Sequence, residues 1–321
     1  MDSDPGVVLL TDRAWPDDSI ERKIIEGAGL RFAAGPADPA SAEEIEQLVM
    51  RHDPIAIMTC WAPVSAAAIR IPSALRAVAR MGVGLDNIDV QSATARGAYV
   101  TNVPDYCVEE VSDHAVALVL DWTRQISAFD RDVHCGTWNP AAARLGRLRS
   151  KTVGIIGYGR IGKATARKLS AFGCRIQVNA PRARSDGRVV RVDLDELLRT
   201  SDVVILHVPL TSETRHLIGR DELSEMRDDA LLVNVSRGGL IDTNALIDAL
   251  QSGEIGSVAL DVLEDEPFVH PALLQHSNAV ITPHIAFSSD ESVAELRTKA
   301  AEEVVRILAG QPPRYPCNDP S

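Results

Sequence analysis

The sequence is short of positive charge and contains no long apolar run. Its 321 residues include 33 lysines and arginines against 45 aspartates and glutamates, which gives a formal net charge of -12. This balance argues against general attraction to nucleic acid or to an anionic membrane, so a bound anion must be met by a local cluster. No apolar stretch approaches the roughly 20 residues that a membrane-spanning helix needs. We therefore expect neither nucleic acid nor membrane as a partner.

The cysteines are few, odd in number and widely scattered. They form no CxxC pair and no Cys/His spacing typical of a metal site, so we expect no metal and a reducing compartment. The first ten residues, MDSDPGVVLL, lack the basic segment and the long apolar core of a secretion signal. We therefore expect a cytoplasmic protein. The five cysteines are Cys60, Cys107, Cys135, Cys174 and Cys317.

What the sequence does contain is a regular alternation of short apolar strands and helical patterns, which predicts an α/β fold with parallel sheets. The length favours two domains. One series of strands runs from residue 7 to 103 and a second from 152 to 284. Between them, residues 108–136 contain no proline and no glycine before Gly136, and their apolar residues recur at helical spacing, so we predict one long amphipathic helix there.

The second series opens with a glycine-rich turn between a strand and a helix, GIIGYGRIGKATARKLSAFG. In such a turn Gly157 permits the tight bend, Gly159 lets the backbone approach a pyrophosphate, and Gly162 allows close helix packing. Amides at the helix start then hold the anion. We predict a dinucleotide site, and the alternative is a turn with a purely structural role.

The next strand ends where an adenosine ribose is expected, 18 residues beyond Gly162, at Ala180. An acidic residue there binds the ribose hydroxyls and repels a 2′-phosphate, and Ala180 does neither. Arg182 and Arg184 follow and can grip that phosphate by charge-assisted hydrogen bonds. NADP(H) is therefore favoured over NAD(H). The alternative is a solvated basic loop without a ligand.

Three charged residues follow three later strands of this series. Arg237 offers a planar donor fork suited to a carboxylate, although a surface salt bridge would use it equally well. Glu266 lies in an acidic loop, LEDEP, of the kind that is usually only solvated. His284 ends the last strand, where a histidine is more often a packed core residue than a catalyst. Because all three lie at strand carboxyl ends of one sheet, we predict a substrate anchor, a proton donor and a carboxylate that orients the donor.

The motifs GIIGYGRIG, NVSRGGLID, ALDVLEDEP and TPHIA, in this order, resemble the D-isomer-specific 2-hydroxyacid dehydrogenase family over nearly the whole chain. RMGVGLDNIDV and NVPDYCVEEVSDHA most resemble the branch that also contains C-terminal-binding-protein-like corepressors. The resemblance implies a discontinuous, flavodoxin-like substrate-binding (catalytic) domain of residues 1–103 and 286–321. It also implies a Rossmann-type domain with a doubly wound parallel sheet at 104–285.

The resemblance also implies roles for individual residues. Arg237 and the main-chain amides of the loop 81–84, with Val83 and Gly84, would hold the substrate carboxylate. His284 would be the acid/base, oriented by Glu266. Trp61 and Trp138 are candidates to line the substrate, with packing as an equal alternative for both. The implied cofactor contacts are Arg160, Ile161, His207, Val208, Pro209, Thr214, Val235, Ser236 and Asp261, beside Gly157, Gly159, Gly162, Ala180, Arg182 and Arg184.

The expected activity is therefore that of a D-2-hydroxyacid dehydrogenase, with reversible hydride transfer between NADP(H) or NAD(H) and a small 2-oxo or 2-hydroxy acid, as in glyoxylate and hydroxypyruvate reductases. Phosphite-oxidising relatives carry a lysine where this chain has Val83, so 2-oxo acid chemistry is favoured. Two alternatives stay open: a dinucleotide-sensing regulatory or corepressor-like protein, and a dehydrogenase of a specialised-metabolism intermediate. The resemblance also implies a homodimer formed through the linking helix and the segment up to Arg149.

Overall fold

The structure is a computed structural model that describes residues 5–38, 40–181, 187 and 189–320. The basic residues Arg182 and Arg184 lie outside the described residues. The chain divides into two compact units. The first comprises Met1–Tyr106 and Ser289–Ser321, and the second comprises Cys107–Ser288.

The described residues form twelve strands, numbered in chain order. They are β1 Val7–Leu10, β2 Arg31–Ala34, β3 Ala56–Thr59, β4 Ala77–Arg80, β5 Tyr99–Thr101, β6 Thr152–Ile156, β7 Arg175–Asn179, β8 Val189–Arg191, β9 Val203–Leu206, β10 Leu231–Asn234, β11 Ser257–Leu260 and β12 Ala279–Ile281.

Twelve α-helices lie in the same described ranges. They are α1 Ser19–Gly27, α2 Ala42–His52, α3 Ala66–Arg70, α4 Val90–Ala95, α5 Val108–Arg124, α6 Ile126–His134, α7 Arg160–Ala171, α8 Leu194–Thr200, α9 Arg220–Glu225, α10 Thr243–Ser252, α11 Pro271–Gln275 and α12 Asp290–Leu308. Three short 3-10 helices cover Pro140–Ala142, Leu148–Ser150 and Gly238–Leu240.

The first unit is built on a five-stranded parallel sheet in the order β2-β1-β3-β4-β5. This is the flavodoxin-like order 2-1-3-4-5, so the predicted flavodoxin-like fold of this unit is confirmed. The carboxyl-terminal helix α12 belongs to this unit and packs on α1 and β4. A buried ion pair joins α12 to α1, since Nε and Nη2 of Arg297 donate to the carboxylate of Glu21 at 2.9 and 2.8 Å.

The second unit carries a seven-stranded parallel sheet in the order β12-β11-β10-β9-β6-β7-β8. Counted from β6 this is 3-2-1-4-5-6-7, the doubly wound Rossmann order with one added strand, which confirms the predicted fold class. The strand order reverses between β6 and β9, and ligands of such sheets bind beyond the carboxyl ends of the strands at this point. The interior strand residues are fully buried, as in Val204, Leu232 and Val258.

The prediction of a single long helix between the two strand series is wrong, because this segment forms two helices. α5 ends at Arg124 and α6 begins at Ile126, with Gln125 in the left-handed conformation at φ 53°. The carboxylate of Asp121 turns the chain at this point, since it accepts hydrogen bonds from the amide and the hydroxyl of Ser127, each at 2.7 Å. Side-chain capping of this kind ends a helix without proline or glycine.

The apolar residues of α5 and α6 differ in burial. Val111, Ala115 and Val119 of α5 are buried, whereas Ile126 and Val133 of α6 are 60% and 48% exposed. The stripe that the sequence suggests is therefore core in α5 and surface in α6. No helix among the described residues is long and apolar enough to cross a bilayer.

Candidate active site

The glycine turn between β6 and α7 has the geometry that a dinucleotide requires. Gly157 has φ +97°, and a Cβ there would lie 2.4 Å from the carbonyl oxygen of His207. A Cβ on Gly162 would lie 2.2 Å from the carbonyl oxygen of Gly157. By contrast, Gly159 caps α7 and faces open space, and the first turn of α7 contains no acidic residue. The cradle thus fits a pyrophosphate held by main-chain amides.

The strand β9 delivers a second set of predicted cofactor residues beside this turn. Nε2 of His207 is 2.9 Å from the hydroxyl of Thr165 in α7, and burial lowers the pKa of His207 to about 3. The ring is therefore neutral and ties the segment after β9 to α7. The hydroxyl of Thr214 donates to the carbonyl of Pro209 at 2.7 Å and so closes a turn within this segment.

The strand β7 ends at Asn179, directly before Ala180. Asn179 is tied on both sides, because its carbonyl accepts from the amide of Gly157 at 2.9 Å and its side chain donates to Val192 at 3.2 Å. The described chain therefore carries alanine, not a carboxylate, at the end of the strand next to the glycine turn.

Two catalytic candidates, His284 and Glu266, meet at the carboxyl ends of β11 and β12. Nδ1 of His284 donates to Oε2 of Glu266 at 2.8 Å. The His284 side chain is 20% exposed, and the ring of Phe287 meets it edge-on at 6.3 Å between centroids. Because Nδ1 is engaged with the carboxylate, Nε2 is the nitrogen that can serve a substrate oxygen.

Opposing effects set the charge state of Glu266. Burial alone would raise the pKa of the Glu266 carboxyl, but the hydrogen bond and charge of His284, the amide of Leu263 and the charge of Arg237 outweigh burial. The pKa of Glu266 therefore lies below its ordinary value, and the carboxylate is ionised at neutral pH.

The loop of His284 is fixed by the buried carboxylate of Asp261. Its Oδ1 accepts from the amide of Ile285 at 2.9 Å and from the hydroxyl of Thr282 at 2.6 Å, and its Oδ2 accepts from the amide of Ala286 at 2.9 Å. The carbonyl of Asp261 accepts from the amide of His284 at 2.8 Å. These bonds surround His284, whose φ of 53° is strained for a residue other than glycine. Asp261 thus holds the strained backbone at the predicted proton donor.

A third side chain supports this clamp from α5. Nε2 of His114 lies 3.1 Å from the hydroxyl of Thr282, which donates its own proton to Asp261. His114 must therefore carry its proton on Nε2 and donate it to Thr282. Neither His114 nor Thr282 is among the residues predicted from the sequence. The only signal in the sequence is the threonine of TPHIA, two residues before the histidine, whose hydroxyl can reach Asp261 at the end of β11.

Arg237 follows β10 and is half-buried. Its Nη1 donates to the carbonyl of Ser236 at 2.8 Å, its own carbonyl accepts from the side chain of Asn234 at 2.8 Å, and the hydroxyl of Ser236 donates to Leu206 at 2.7 Å. These bonds fix the turn that carries the guanidinium. Val235, the remaining predicted residue of this turn, is 7% exposed.

The predicted substrate residues of the first unit lie after β3 and β4. Trp61 is held by a fully buried carboxylate, because Asp12 accepts from the amides of Cys60, Trp61 and Ala62 at 2.9, 2.6 and 3.1 Å. The guanidinium of Arg80, at the end of β4, lies 5.6 Å from the Trp61 ring. Neither Asp12 nor Arg80 is among the residues predicted from the sequence.

The loop after β4 begins beside the same guanidinium. A Cβ on Gly82, at φ +152°, would lie 2.5 Å from Nη1 of Arg80. Val83, 37% exposed, and Gly84 follow, and the side chain of Asn102 donates to the carbonyl of Val83 at 2.7 Å. The loop is thus fixed from both sides.

Trp138, the other tryptophan of interest, lies in the second unit after α6 and is 82% exposed. The Trp138 side chain is therefore not packed in the core of this unit, which was one of its two predicted roles. The groups in the described residues include no cluster of three or more histidine, cysteine, aspartate or glutamate side chains that could hold a metal ion.

Comparison with known proteins decides the family. A family model described as D-isomer specific 2-hydroxyacid dehydrogenase, NAD binding domain, matches residues 116–286, more than half of the chain. The chain belongs to this family. Over 250 residues it is 40% identical to the glyoxylate reductase of Thermococcus litoralis, covering 74% of this chain and 76% of that enzyme.

Two further relatives support the assignment. The chain is 38% identical over 287 residues to the D-3-phosphoglycerate dehydrogenase of Archaeoglobus fulgidus, covering 88% of this chain and 54% of that enzyme. It also superposes on the NADPH-dependent glyoxylate/hydroxypyruvate reductase of Sinorhizobium meliloti, solved with NADP and malonate, at a TM-score of 0.85 and 31% identity, covering 98% and 97% of the two chains.

The predicted family and enzyme class are therefore confirmed. The chain is a D-2-hydroxyacid dehydrogenase, an NAD(P)-dependent oxidoreductase that acts on CH–OH groups. These relatives do not specify the C-terminal-binding-protein-like branch.

Proposed function

We propose that this dehydrogenase reduces a small 2-oxo acid, of the size of glyoxylate or hydroxypyruvate, to the D-2-hydroxy acid and favours NADPH as the reductant. The observation that carries the proposal is the 2.8 Å contact between His284 and Glu266, with the charge of Arg237 acting on the same carboxylate. An acid/base, its orienting carboxylate and a carboxylate-binding guanidinium are the groups that 2-oxo acid reduction needs.

In this mechanism Arg237 binds the substrate carboxylate, and the family resemblance assigns the same role to the amides of the loop 81–84. A bound nicotinamide supplies the hydride during reduction and accepts it during oxidation. His284 donates its Nε2 proton to the forming hydroxyl oxygen, and Glu266 holds the ring in its protonated form and correct orientation through Nδ1. Asp261 keeps the backbone of His284 in place. In the oxidative direction His284 removes the hydroxyl proton.

The residues that would hold the cofactor belong to four segments. Gly157, Gly159, Arg160, Ile161 and Gly162 would hold the pyrophosphate, and His207, Val208, Pro209 and Thr214 would lie along the adenosine. Ser236, Val235 and Asp261 would surround the nicotinamide. The preference for NADPH is supported by Ala180 at the end of β7, where no carboxylate repels a 2′-phosphate. Arg182 and Arg184 are proposed as its partners on the basis of sequence alone.

The proposed substrate domain comprises residues 1–103 and 286–321, and the proposed cofactor domain comprises residues 104–285. A homodimer formed through α6 and the segment up to Arg149 is supported by exposed apolar side chains on that segment, those of Ile126, Val133 and Trp138. A cytoplasmic location is supported by the five cysteines, which all lie in the described residues and form no disulfide.

The test follows oxidation of NADPH and NADH separately against glyoxylate, hydroxypyruvate, pyruvate and bulkier 2-oxo acids. We expect turnover with a small acid and a higher kcat/KM with NADPH. His284→Ala should abolish turnover and leave cofactor binding intact. Tight cofactor binding without turnover of any acid would favour a dinucleotide-sensing role, and full activity of His284→Ala would refute the mechanism.

A further inference from the structure

A cluster of four side chains holds the loop that carries Glu266. Glu264, two residues before Glu266, is only 17% exposed. Its Oε1 accepts from Nη2 of Arg215 at 2.8 Å and from Nε2 of His216 at 2.7 Å, and its Oε2 accepts from the hydroxyl of Thr243 at 3.0 Å. The interpretation of this acidic loop as simply solvated is therefore wrong for Glu264.

The partners of Glu264 come from different parts of the chain. Arg215 and His216 end the segment 207–216, which follows β9 and carries the proposed adenosine contacts. Thr243 is the first residue of α10. The amide of His216, itself in the left-handed conformation at φ 53°, donates to the carbonyl of Gly239 at 2.8 Å. The segment 207–216 is thereby joined to the turn that follows Arg237.

The same turn is packed directly against the loop of Glu266. A Cβ on Gly238 would lie 1.9 Å from the carbonyl carbon of Leu263 and 2.3 Å from the amide of Glu264, so the two backbones are in contact. The amide of Leu263 donates to Oε1 of Glu266 at 2.9 Å. A displacement of residues 263–264 is therefore transmitted to the carboxylate that orients His284.

The carboxylate of Glu264 is ionised at neutral pH. Burial alone would raise the pKa of Glu264, but the bonds from His216 and Thr243 and the charge of His216 outweigh it, so the pKa lies below its ordinary value. The carboxylate is thus ionised and forms a charge-assisted contact with Arg215, which is stronger than a neutral hydrogen bond. Three donors on one partly buried carboxylate hold the loop more firmly than a solvated side chain does.

We propose that Glu264 is a positioning residue that couples the cofactor-side segment 207–216 to the acid/base pair of His284 and Glu266. Through Arg215 and His216, order in that segment fixes Glu264, and through the backbone at Leu263 it fixes Glu266. The inference rests on the proposed function, since it assigns Glu264 to the orientation of the proposed proton donor.

The test compares Glu264→Gln and Arg215→Gln with Glu225→Gln. Glu225 forms a surface ion pair with Arg199 at 3.1 Å and serves as the matched control. We expect Glu264→Gln to lower kcat about ten- to hundredfold, the range for misplaced catalytic groups, and to change the KM for the 2-oxo acid by less than about threefold. Arg215, 57% exposed, can be replaced without disturbing the core, and its variant should show the same split with a smaller loss.

A second readout does not depend on turnover. Hydrogen exchange of the amides in 207–216 and 262–268 is measured with and without NADPH. In the wild type we expect NADPH to slow exchange in both segments. In Glu264→Gln we expect it to slow exchange only in 207–216, because the link to the second segment is cut.

Each outcome bears on one of the two proposals. If Glu264→Gln keeps the wild-type kcat, or if NADPH still protects 262–268 in that variant, the coupling is refuted, whatever His284→Ala shows. A drop in kcat equal to that of Glu225→Gln also refutes it. If His284→Ala stays active, the proposed function itself fails.

Discussion

Replacing Glu266 by glutamine keeps the size of the side chain and removes the negative charge 2.8 Å from Nδ1 of His284. A charge-assisted hydrogen bond of this kind contributes about 1.5 to 3 kcal/mol. Because the Glu266 side chain is 36% exposed, water weakens the contact, and the lower end of that range applies. Since 1.36 kcal/mol corresponds to a factor of ten in rate, we expect Glu266→Gln to lower kcat about tenfold.

The direction follows from the charges. The proposed mechanism needs an ionised Glu266 beside His284, and glutamine supplies no charge. The pKa of Glu266 lies below its ordinary value, so the wild-type contact is charge-assisted across the neutral range. We therefore expect the loss of kcat throughout the neutral range. As the pH falls through the lowered pKa of Glu266, the wild type loses this contribution, and the difference between the two proteins should shrink.

The assay measures kcat in both directions between about pH 3 and 8, an interval that spans the ordinary pKa of a glutamate. Glu225→Gln, which removes a surface carboxylate, is the control. A wild-type kcat of Glu266→Gln at neutral pH would refute the electrostatic role of Glu266. A loss that stays the same below the pKa of Glu266 would mean that Glu266 only orients the ring.

Two further predictions follow from backbone contact and from burial. Gly238→Ala places a Cβ against the backbone of Leu263. We therefore expect this variant to lose about 1 to 3 kcal/mol of unfolding free energy in chemical denaturation and to have a lower kcat. Gly146→Ala, whose Cβ would lie 3.6 Å from its nearest neighbour, should show neither effect. Burial raises the pKa of the Cys60 thiol to about 12. At about pH 8 an alkylating reagent should therefore label the exposed Cys135 and leave Cys60 unmodified until the protein unfolds. Rapid labelling of Cys60 in the native protein would contradict this prediction.

The sheets could be predicted from the sequence because interior strands such as β9 and β10 are buried on both faces. A parallel sheet covered by helices produces short, continuous apolar runs such as VVILHV and SVALDV, and these runs coincide with β9 and β11. The glycine turn could also be predicted, because neither Gly157 nor Gly162 has room for a Cβ and only glycine fits there. Local rules therefore located the fold and the cofactor cradle.

Contacts between distant segments could not be predicted in this way. The break at Gln125 depends on Asp121 accepting from Ser127, a choice that helix periodicity does not register. Glu264 looks like any solvated glutamate until Arg215, 49 positions earlier in the chain, is seen beside it. Asp12 likewise holds a turn that begins 48 residues later. Glu264 and Asp12 thus contact groups that only the tertiary fold brings near, whereas Asp121 makes a local contact that does not follow the helical repeat.

The proposed cofactor preference depends on the residue at position 180. Ala180 lies beside the glycine turn, because β7 ends at Asn179 and the carbonyl of Asn179 accepts a hydrogen bond from the amide of Gly157. A carboxylate at position 180 would meet the ribose end of a dinucleotide, accept hydrogen bonds from its hydroxyls and repel a 2′-phosphate.

Ala180→Asp should therefore raise the KM for NADPH about ten- to hundredfold, the effect of removing or opposing one charge-assisted hydrogen bond, while the KM for NADH stays the same or falls. Ala171→Asp, which adds the same charge to the exposed end of α7, should change neither. If Ala180→Asp weakens NADPH while Arg182→Ala and Arg184→Ala do not, then the selectivity comes from the missing carboxylate and the arginines are only solvated. If Ala180→Asp leaves the ratio of the KM values for NADPH and NADH unchanged, the ribose does not meet the end of β7, and the proposed preference for NADPH is wrong.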